Sequence, residues 1–412
     1  MAWASEFELG ELPTLIVGIL ALLLGRCIRR SAPILRRIDV PDAVVGATIV
    51  AVLCLLAELS AGVQITFGTE LRDILLLVFF TTIGLSAKLG ALRNGGRPLL
   101  ILCGATILLL VLQNAAGIGV AVAWGAHPAY GLLAGSLSFV GGPGTALAWA
   151  KEMSAAGLKN AELVGVGSAT LAVITGALVA GPVTGWIVAR HKLASSSARE
   201  AGVAFAPLPA AEARPADPAT MERLLGSVLI IAASVYLGEQ INVAAKHAGL
   251  LLPGFLSAML AGVLITNLSD VFHWRLDFAP IEKGGEFALH VFLVIALMQV
   301  NLASVAAIIV PLAINIVVQI TLTIAVAYFV LFRLLGRDYD AAVATGGFLG
   351  FGIASMPVAM ATMDEIGHRY GPSPKAFLLI TLAGSFFVDL ANALVAKAFF
   401  MLPFLAVAPR GG

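Results

Sequence analysis

The sequence predicts an all-α polytopic membrane protein, and three observations carry that prediction. Of its 412 residues, 59% are hydrophobic and only 12% are charged, against about a quarter charged in a soluble domain. Mean hydropathy is +0.98. The apolar residues are gathered into ten blocks, most of which approach or exceed the roughly 20 residues that cross about 30 Å of hydrocarbon. A backbone in lipid must satisfy its own hydrogen bonds, so the blocks read as helices. The net charge of +1 gives no electrostatic case for nucleic acid.

The elements follow in order. The opening "MAWASEFELGE" is acidic and lacks the basic region of a signal peptide, so the first block, 12–28, is expected to stay. Arg26, Arg29, Arg30, Arg36 and Arg37 follow it; blocks 40–57 and 73–92 come next, and Lys88, Arg93 and Arg97 close the third. Block 98–124 carries Gln113 and Asn114 in its interior. The stretch "GSLSFVGGPGTALAWAKEM", 135–153, then breaks the apolar pattern: Gly141, Gly142, Pro143 and Gly144 are consecutive, with Ser136, Ser138 and Thr145 around them. Block 160–189 runs into Arg190, Lys192 and Arg199. Clusters of Lys and Arg mark the cytoplasmic side. The three clusters share that side only if residues 130–153 do not cross completely. Lys151 and Lys159 fall on the opposite side, accompanied by Glu152 and Glu162.

Residues 191–223, rich in Ala, Pro, Ser and charge, read as a flexible cytoplasmic linker. Beyond them come blocks 224–245, 251–268, 286–300, 304–332 and 375–406. Four pairs match in order across the linker: Pro41 with Pro253, Val78-Phe79 with Val291-Phe292, Pro98-Leu99 with Pro311-Leu312, and Phe139 with Phe348. All lie near one shift of about 210 residues, which indicates a duplication. Arg333 and Arg337 put the second broken segment on the cytoplasmic side, opposite the first. The expected organisation is therefore an N-terminal repeat, 1–190, with a re-entrant hairpin at about 130–153, and an inverted C-terminal repeat, 224–412, with its hairpin at about 340–365. Both termini are expected on the periplasmic side.

Inverted repeats with interrupted segments at matching places point to a secondary transporter. Freed N–H groups and half-helix N-termini offer positive charge to a carboxylate, and unwound carbonyls offer oxygen to Na⁺. The expected solute ligands are Ser136, Ser138, Gly141, Gly142, Gly144 and Thr145 in the first hairpin. In the second they are Gly350, Gly352 and Ser355, within "ATGGFLGFGIASMP", where Gly346, Gly347 and Pro357 repeat the break. Glycine also serves simple close packing of membrane helices, and hydroxyls there bond back to their own carbonyls. Gln113 and Asn114 reach the solute or act as interhelical glue. Asp389, costly at mid-membrane, and Asn392, three residues on, are the expected oxygen donors for the cation; a structural ion pair is the alternative for Asp389. Asn315 and Gln319 read as packing polars, Gln299 and Asn301 as interfacial, and Lys397 as a snorkelling side chain. His247, His273 and His368 occur in loop-like sequence, and Cys27, Cys54 and Cys103 read as packing residues. Neither transition-metal spacing nor a nucleotide motif is present.

The chain resembles the sodium/glutamate symporter family of bacterial inner membranes. The likeness runs nearly end to end through "LLGRCIRR", "FFTTIGLSAKLGALRNGGR", "LQNAAGIGV", "GLLAGSLSFVGGPGTALAW", "YDAAVATGGFLGFGIASMP", "RYGPSPKAFLLI" and "GSFFVDLANALVAK". The resemblance implies about ten crossings, two inverted repeats, two re-entrant hairpins, a homodimer and elevator-type movement of a core against a scaffold. It departs at Pro143 and Phe348, where members carry histidines, at Met356 and Val358, where threonines flank the proline, and at Thr362, where asparagine is usual. A shorter or more apolar anion than glutamate would fit these changes.

The expected function is thus Na⁺-coupled uptake of glutamate or a similar small anionic amino acid, with Na⁺ as coupling ion, the bilayer as environment and no organic cofactor. A Na⁺- or H⁺-coupled carrier of another organic anion is the alternative. A membrane enzyme would need a nucleophile–base or metal cluster, and none stands out. A channel would need an acidic filter that the sequence does not display.

Overall fold

The coordinates are a computed structural model; it describes residues 5–31, 42–92, 96–194, 221–247, 252–272, 276–298, 305–384 and 387–405. Pro41, His273, Gln299, Asn301 and linker residues 195–220 lie outside the described residues. From the N-terminus run β1 (Ser5–Leu9), α1 (Glu11–Ser31), α2 (Asp42–Ala61), β2 (Val63–Phe67), α3 (Glu70–Leu85), the short α4 (Leu89–Leu92), α5 (Gly96–Ala123), α6 (Ala129–Leu133), α7 (Ser136–Phe139), α8 (Gly142–Ala155) and α9 (Ala161–Arg190). The second series is α10 (Met221–His247), α11 (Gly254–Val271), α12 (Phe278–Met298) and α13 (Val305–Ala325). The last continues through π-helical Val326–Leu331 to Leu334. Then follow α14 (Tyr339–Ile353), α15 (Met356–Tyr370), α16 (Pro374–Gly384) and α17 (Phe387–Phe400).

Among the described residues, seven helices are long and apolar enough to cross a membrane: α1, α2, α5, α9, α10, α11 and α13. The pair α16–α17, bent by 43°, makes an eighth if it is one span. The sequence expects about ten. The two remaining blocks are α3, which has only 16 residues, and α12, which carries Glu282, Lys283 and Glu286 in its first half.

The small strand pair is a correction to an all-helical expectation. Helices α1 and α2 lie antiparallel, backbone on backbone: a Cβ on Gly46 would stand 1.9 Å from the Ala21 carbonyl oxygen, and one on Gly25 2.2 Å from that of Asp42. The chain entering α1 therefore runs beside the chain leaving α2. Extended backbone there needs partners, and β1 and β2 pair in parallel, Ser5 with Val63 through Leu9 with Phe67. The Glu11 carboxylate then accepts the N–H groups of Glu70 (3.1 Å) and Leu71 (3.0 Å), where the first turn of α3 has unpaired donors and the positive end of its dipole.

Two apolar cores organise the rest. One joins α1–α3, α11 and α12 to the α6–α8 segment, with Phe80, Trp149, Phe255 and Ile295 fully buried. The other joins α5, α9 and α13–α17 around Leu109, Phe332, Phe348 and Phe351. Between α8 and α3, Lys151 bonds Asp73 at 2.5 Å, and Arg72 of α3 lies 3.9 Å from Glu162 of α9. Lys151, an exception to the charge rule in the sequence, is thus neutralised locally. Lys397, expected to reach the interface, is instead only 8% exposed, with its ammonium 5.8 Å from the Phe400 ring.

Both interrupted segments break, but not where glycine alone dictates. Helix α7 ends at Phe139, four residues before Pro143; α14 ends at Ile353, four residues before Pro357. Proline has no N–H for the carbonyl four residues back, and its ring crowds that carbonyl. Each proline is the second residue of the following helix, where its fixed φ is suitable. The second break is therefore Ala354–Ser355. Gly346, Gly347, Gly350 and Gly352 lie inside α14 and serve close approach: a Cβ on Gly350 would meet Ala359 Cα at 2.4 Å.

Candidate functional site

Consecutive positions on a helix point about 100° apart, so Gln113 and Asn114 of α5 serve two different breaks. Gln113 Nε2 donates to the Gly352 carbonyl at 2.8 Å, just before the α14–α15 break, and lies 3.1 Å from Thr323 Oγ1. That hydroxyl in turn donates to the Gln319 carbonyl at 2.8 Å. Asn114 Oδ1 accepts the Ser136 N–H at 3.0 Å and lies 2.9 Å from Ser136 Oγ, at the head of α7. From the other side, Asn392 of α17 donates Nδ2 to the Ser136 carbonyl at 3.1 Å and sets Oδ1 2.7 Å from Ser136 Oγ.

Helix α13 closes the arrangement. Asn315 Nδ2 donates to the Ala134 carbonyl at 2.6 Å, in the α6–α7 break, and Gln319 Nε2 donates to the Gln113 carbonyl at 2.8 Å. Backbone groups released by the breaks are thus met by side-chain amides from crossing helices, as a buried irregular backbone requires. Gln113, Asn114, Ser136, Asn315, Gln319 and Asn392 are all buried. Yet Gln113 Oε1, Gln319 Oε1 and Asn114 Nδ2 have no hydrogen-bond partner among the described residues. Buried polar atoms are normally satisfied, so this cluster has two acceptors and one donor available to a ligand.

The two breaks also approach each other. Gly142 has φ +68°, and a Cβ there would find the Ala354 carbonyl oxygen at 3.9 Å. A Cβ on neighbouring Gly141 would stand 2.7 Å from Asn392 Nδ2 and 2.6 Å from Thr145 Cβ. Of the expected solute ligands, the structure gathers Gln113, Asn114, Ser136, Gly141, Gly142 and Gly352 around this point. Thr145 is buried one turn into α8, while Gly144 faces away, its would-be Cβ 2.9 Å from Leu289 of α12. Gly350 packs against α15. Ser138 is engaged elsewhere, its hydroxyl 2.9 Å from the Gly165 carbonyl of α9 and bonded to that of Leu133. Ser355 is half-buried and extended at the start of α15, with no capping bond from its side chain. Asp389, half-buried in the first turn of α17, forms no ion pair with any described residue.

The sequence reading gave Asn315 and Gln319 to packing. The signal that marks them is periodic: Asn315, Gln319 and Thr323 repeat every four residues and form one polar stripe along α13. Beside them a cavity of about 270 Å³ lies between α5, α6, the start of α9 and α13, lined by Trp124, Tyr130, Asn160 and Asn315 among others. The positions that depart from the family pattern lie mostly in apolar packing. Phe348 is edge-on to Phe351 at 5.2 Å between ring centroids, Met356 lies against Gly384, and Val358 packs with Val173 and Ala354.

Among the described residues no group of three or more His, Cys, Asp or Glu is arranged to hold a metal ion. The buried basic residues described are Arg72 and Lys397, and neither contacts the cluster in a described bond.

Comparison with known proteins adds a second line. The family model described as sodium/glutamate symporter matches residues 7–372. A sodium/glutamate symporter of Escherichia coli (strain K12) is 36% identical over 404 residues, covering 97% of this chain and 100% of that protein. Another, from Haemophilus influenzae, is 34% identical over 391 residues, covering 94% and 96%.

Proposed function

The chain belongs to the sodium/glutamate symporter family, and on that premise we propose that it carries glutamate across a bilayer, driven by inward Na⁺ flow. It is a multi-pass transporter, not an enzyme. One observation carries the reading at the level of residues: two proline-terminated helix breaks converge, Gly142 towards Ala354, on a buried amide cluster with unpartnered polar atoms. The solute carboxylates bind N–H groups at the heads of α8 and α15 and the amides behind them. Gly141, Gly142, Thr145, Gly352, Ser355, Ser136, Gln113 and Asn114 form its surroundings, while Gly144, Gly350 and Ser138, expected there from the sequence, serve packing instead. Asp389 and Asn392 serve the cation, a reading supported by the lack of a described partner for Asp389.

The finer architecture belongs to the same reading. The series α1, α2, α3, α5, broken segment, α9 is matched by α10, α11, α12, α13, broken segment, α16–α17, which supports two repeats, 1–190 and 224–412. Inversion of the second makes each break a re-entrant hairpin entering from its own side. In the same reading, elevator movement carries α5–α9 and α13–α17 against α1–α3 and α10–α12, across the contacts that Lys151 and Gly144 of α8 make with Asp73 of α3 and Leu289 of α12. The protein works as a homodimer in a bacterial inner membrane with both termini periplasmic, and residues 191–223 link the repeats on the cytoplasmic side.

Uptake of labelled glutamate into proteoliposomes, under separately imposed Na⁺ and H⁺ gradients, tests this. Accumulation is expected with the Na⁺ gradient alone and is expected to be competed poorly by di- and tricarboxylates lacking an amine. Accumulation that persists without Na⁺ sinks the coupling.

A further inference from the structure

We propose that the side-chain oxygens of Asn114, Ser136 and Asn392 form the Na⁺ site, and that Asn114 is shared between the ion and the solute carboxylate. This rests on the Na⁺-coupled reading above and says which atoms do the coupling.

The reason is a count of protons. Asn114 Oδ1 accepts the Ser136 N–H at 3.0 Å, which fixes the orientation of that amide, since a flipped one would set donor against donor. Asn392 is fixed likewise, because its Nδ2 donates to the Ser136 carbonyl at 3.1 Å. The atoms facing Ser136 Oγ are therefore two carbonyl oxygens, at 2.9 Å and 2.7 Å. A serine hydroxyl has one proton to give. Whichever oxygen receives it, the other faces a lone pair at hydrogen-bond distance, and all three residues are 0% exposed. Three convergent oxygens short of a proton are the environment that a hard cation completes. The ligands are neutral, which suits a monovalent ion, and the Na⁺-coupled reading makes that ion Na⁺. Asp389 lies one turn earlier on the helix that carries Asn392.

The remaining half of Asn114 points to the solute. Its Nδ2 is buried and unpartnered, a donor with no acceptor among the described residues. A cation on Oδ1 draws electron density through the amide and makes that N–H the stronger donor. Carboxylate binding and Na⁺ binding thus favour each other through one side chain spanning α5 and the first break.

Thermal unfolding of the purified full-length protein, with Na⁺ titrated against K⁺ at constant ionic strength, reads the site without transport, because a ligand of the folded state raises the melting temperature. Wild type is expected to be stabilised by Na⁺ and not by K⁺. Ser136→Ala should raise the half-saturating Na⁺ concentration about tenfold, roughly 1.4 kcal/mol. Thr106→Ala, on the same helix as Asn114 with a hydroxyl satisfied by the Leu102 carbonyl at 2.9 Å, should leave it unchanged. Asn114→Asp keeps the oxygen and replaces the spare donor, so Na⁺ binding should hold or tighten while glutamate binding falls at least about tenfold. A merely structural Asn114 would lose both together. A Ser136→Ala protein with wild-type Na⁺ saturation, or an Asn114→Asp protein weakened for both ligands, overturns the site. If Ser136→Ala does not fold, Asn114→Asp decides. Wild-type uptake that still requires Na⁺ would then leave the symport reading standing while this site falls.

Discussion

Three residues decide most at the finest scale. Gly142 holds φ +68° at the meeting point of the breaks, a conformation that costs a side-chain-bearing residue about 1–3 kcal/mol and a β-branched one more. Gly352 is tight differently: a Cβ there would be 2.9 Å from Leu109 and 3.1 Å from Thr323, beside the carbonyl that Gln113 holds. Gly142→Val and Gly352→Val should each abolish glutamate uptake while the protein still inserts, as read by transport against membrane-fraction blots. A variant that transports normally would remove its hairpin from the solute site. Asp389→Asn should fold and yet need about tenfold more Na⁺ for half-maximal uptake; unchanged Na⁺ dependence would return Asp389 to a structural role. Asn315 and Gln319 mark the limit of reading residues singly, because a polar residue in an apolar block reads the same whether it glues helices or faces a solute.

Among elements, the breaks were legible as segments and misplaced in detail. Glycine-rich composition located both, at 130–153 and 340–365, but the structure sets the second at Ala354–Ser355 and leaves the glycines helical. Proline four residues on accounts for each end. It does not suffice, since Pro182 and Pro311 lie inside α9 and α13 without ending them. The difference is that Ser136, Ala134 and Gly352 have amide partners waiting from other helices, which no local pattern displays. The connection into α12 offers a separate test. Asp277 accepts a hydrogen bond from the Arg223 guanidinium at the start of α10, which holds its carboxyl below the usual range. A depressed carboxyl stabilises above its unfolded value, near 3.9, and that contribution is lost as pH falls through the folded value. Arg223→Gln should therefore flatten the fall in melting temperature between about pH 5 and pH 3, by about 1–2 °C for so exposed a pair. An identical pH profile would show that the pair contributes nothing.

For the whole molecule, the question is whether α5–α9 and α13–α17 move against α1–α3 and α10–α12. Lys151 on α8 and Asp73 on α3 touch across that boundary at 2.5 Å. In the double variant Lys151→Cys/Asp73→Cys, an oxidative or mercury crosslink should stop uptake, leave Na⁺-dependent glutamate binding intact, and be reversed by reductant. Transport at the uncrosslinked rate through a fully crosslinked protein would exclude an elevator along that boundary. The sequence pairs Val78-Phe79 and Val291-Phe292 fall on α3 and α12, helices of one apolar core, the third members of the two proposed repeats.

The sequence by itself determined the class, the helices and the two interrupted segments. These follow from hydropathy and from backbone chemistry in lipid, which act over one element at a time. Family membership was equally visible, in motifs spread from one end to the other. Only the tertiary structure decided that Gln113 and Asn114 serve different breaks, that Asn392 of the second half grips Ser136 of the first, and that Ser138 looks away. It also gave Asn315 and Gln319 their place. Those facts depend on which helices cross, and crossing is set by backbone approach at positions such as Gly46 and by packing between residues some 200 apart, a range over which local pattern has no reach.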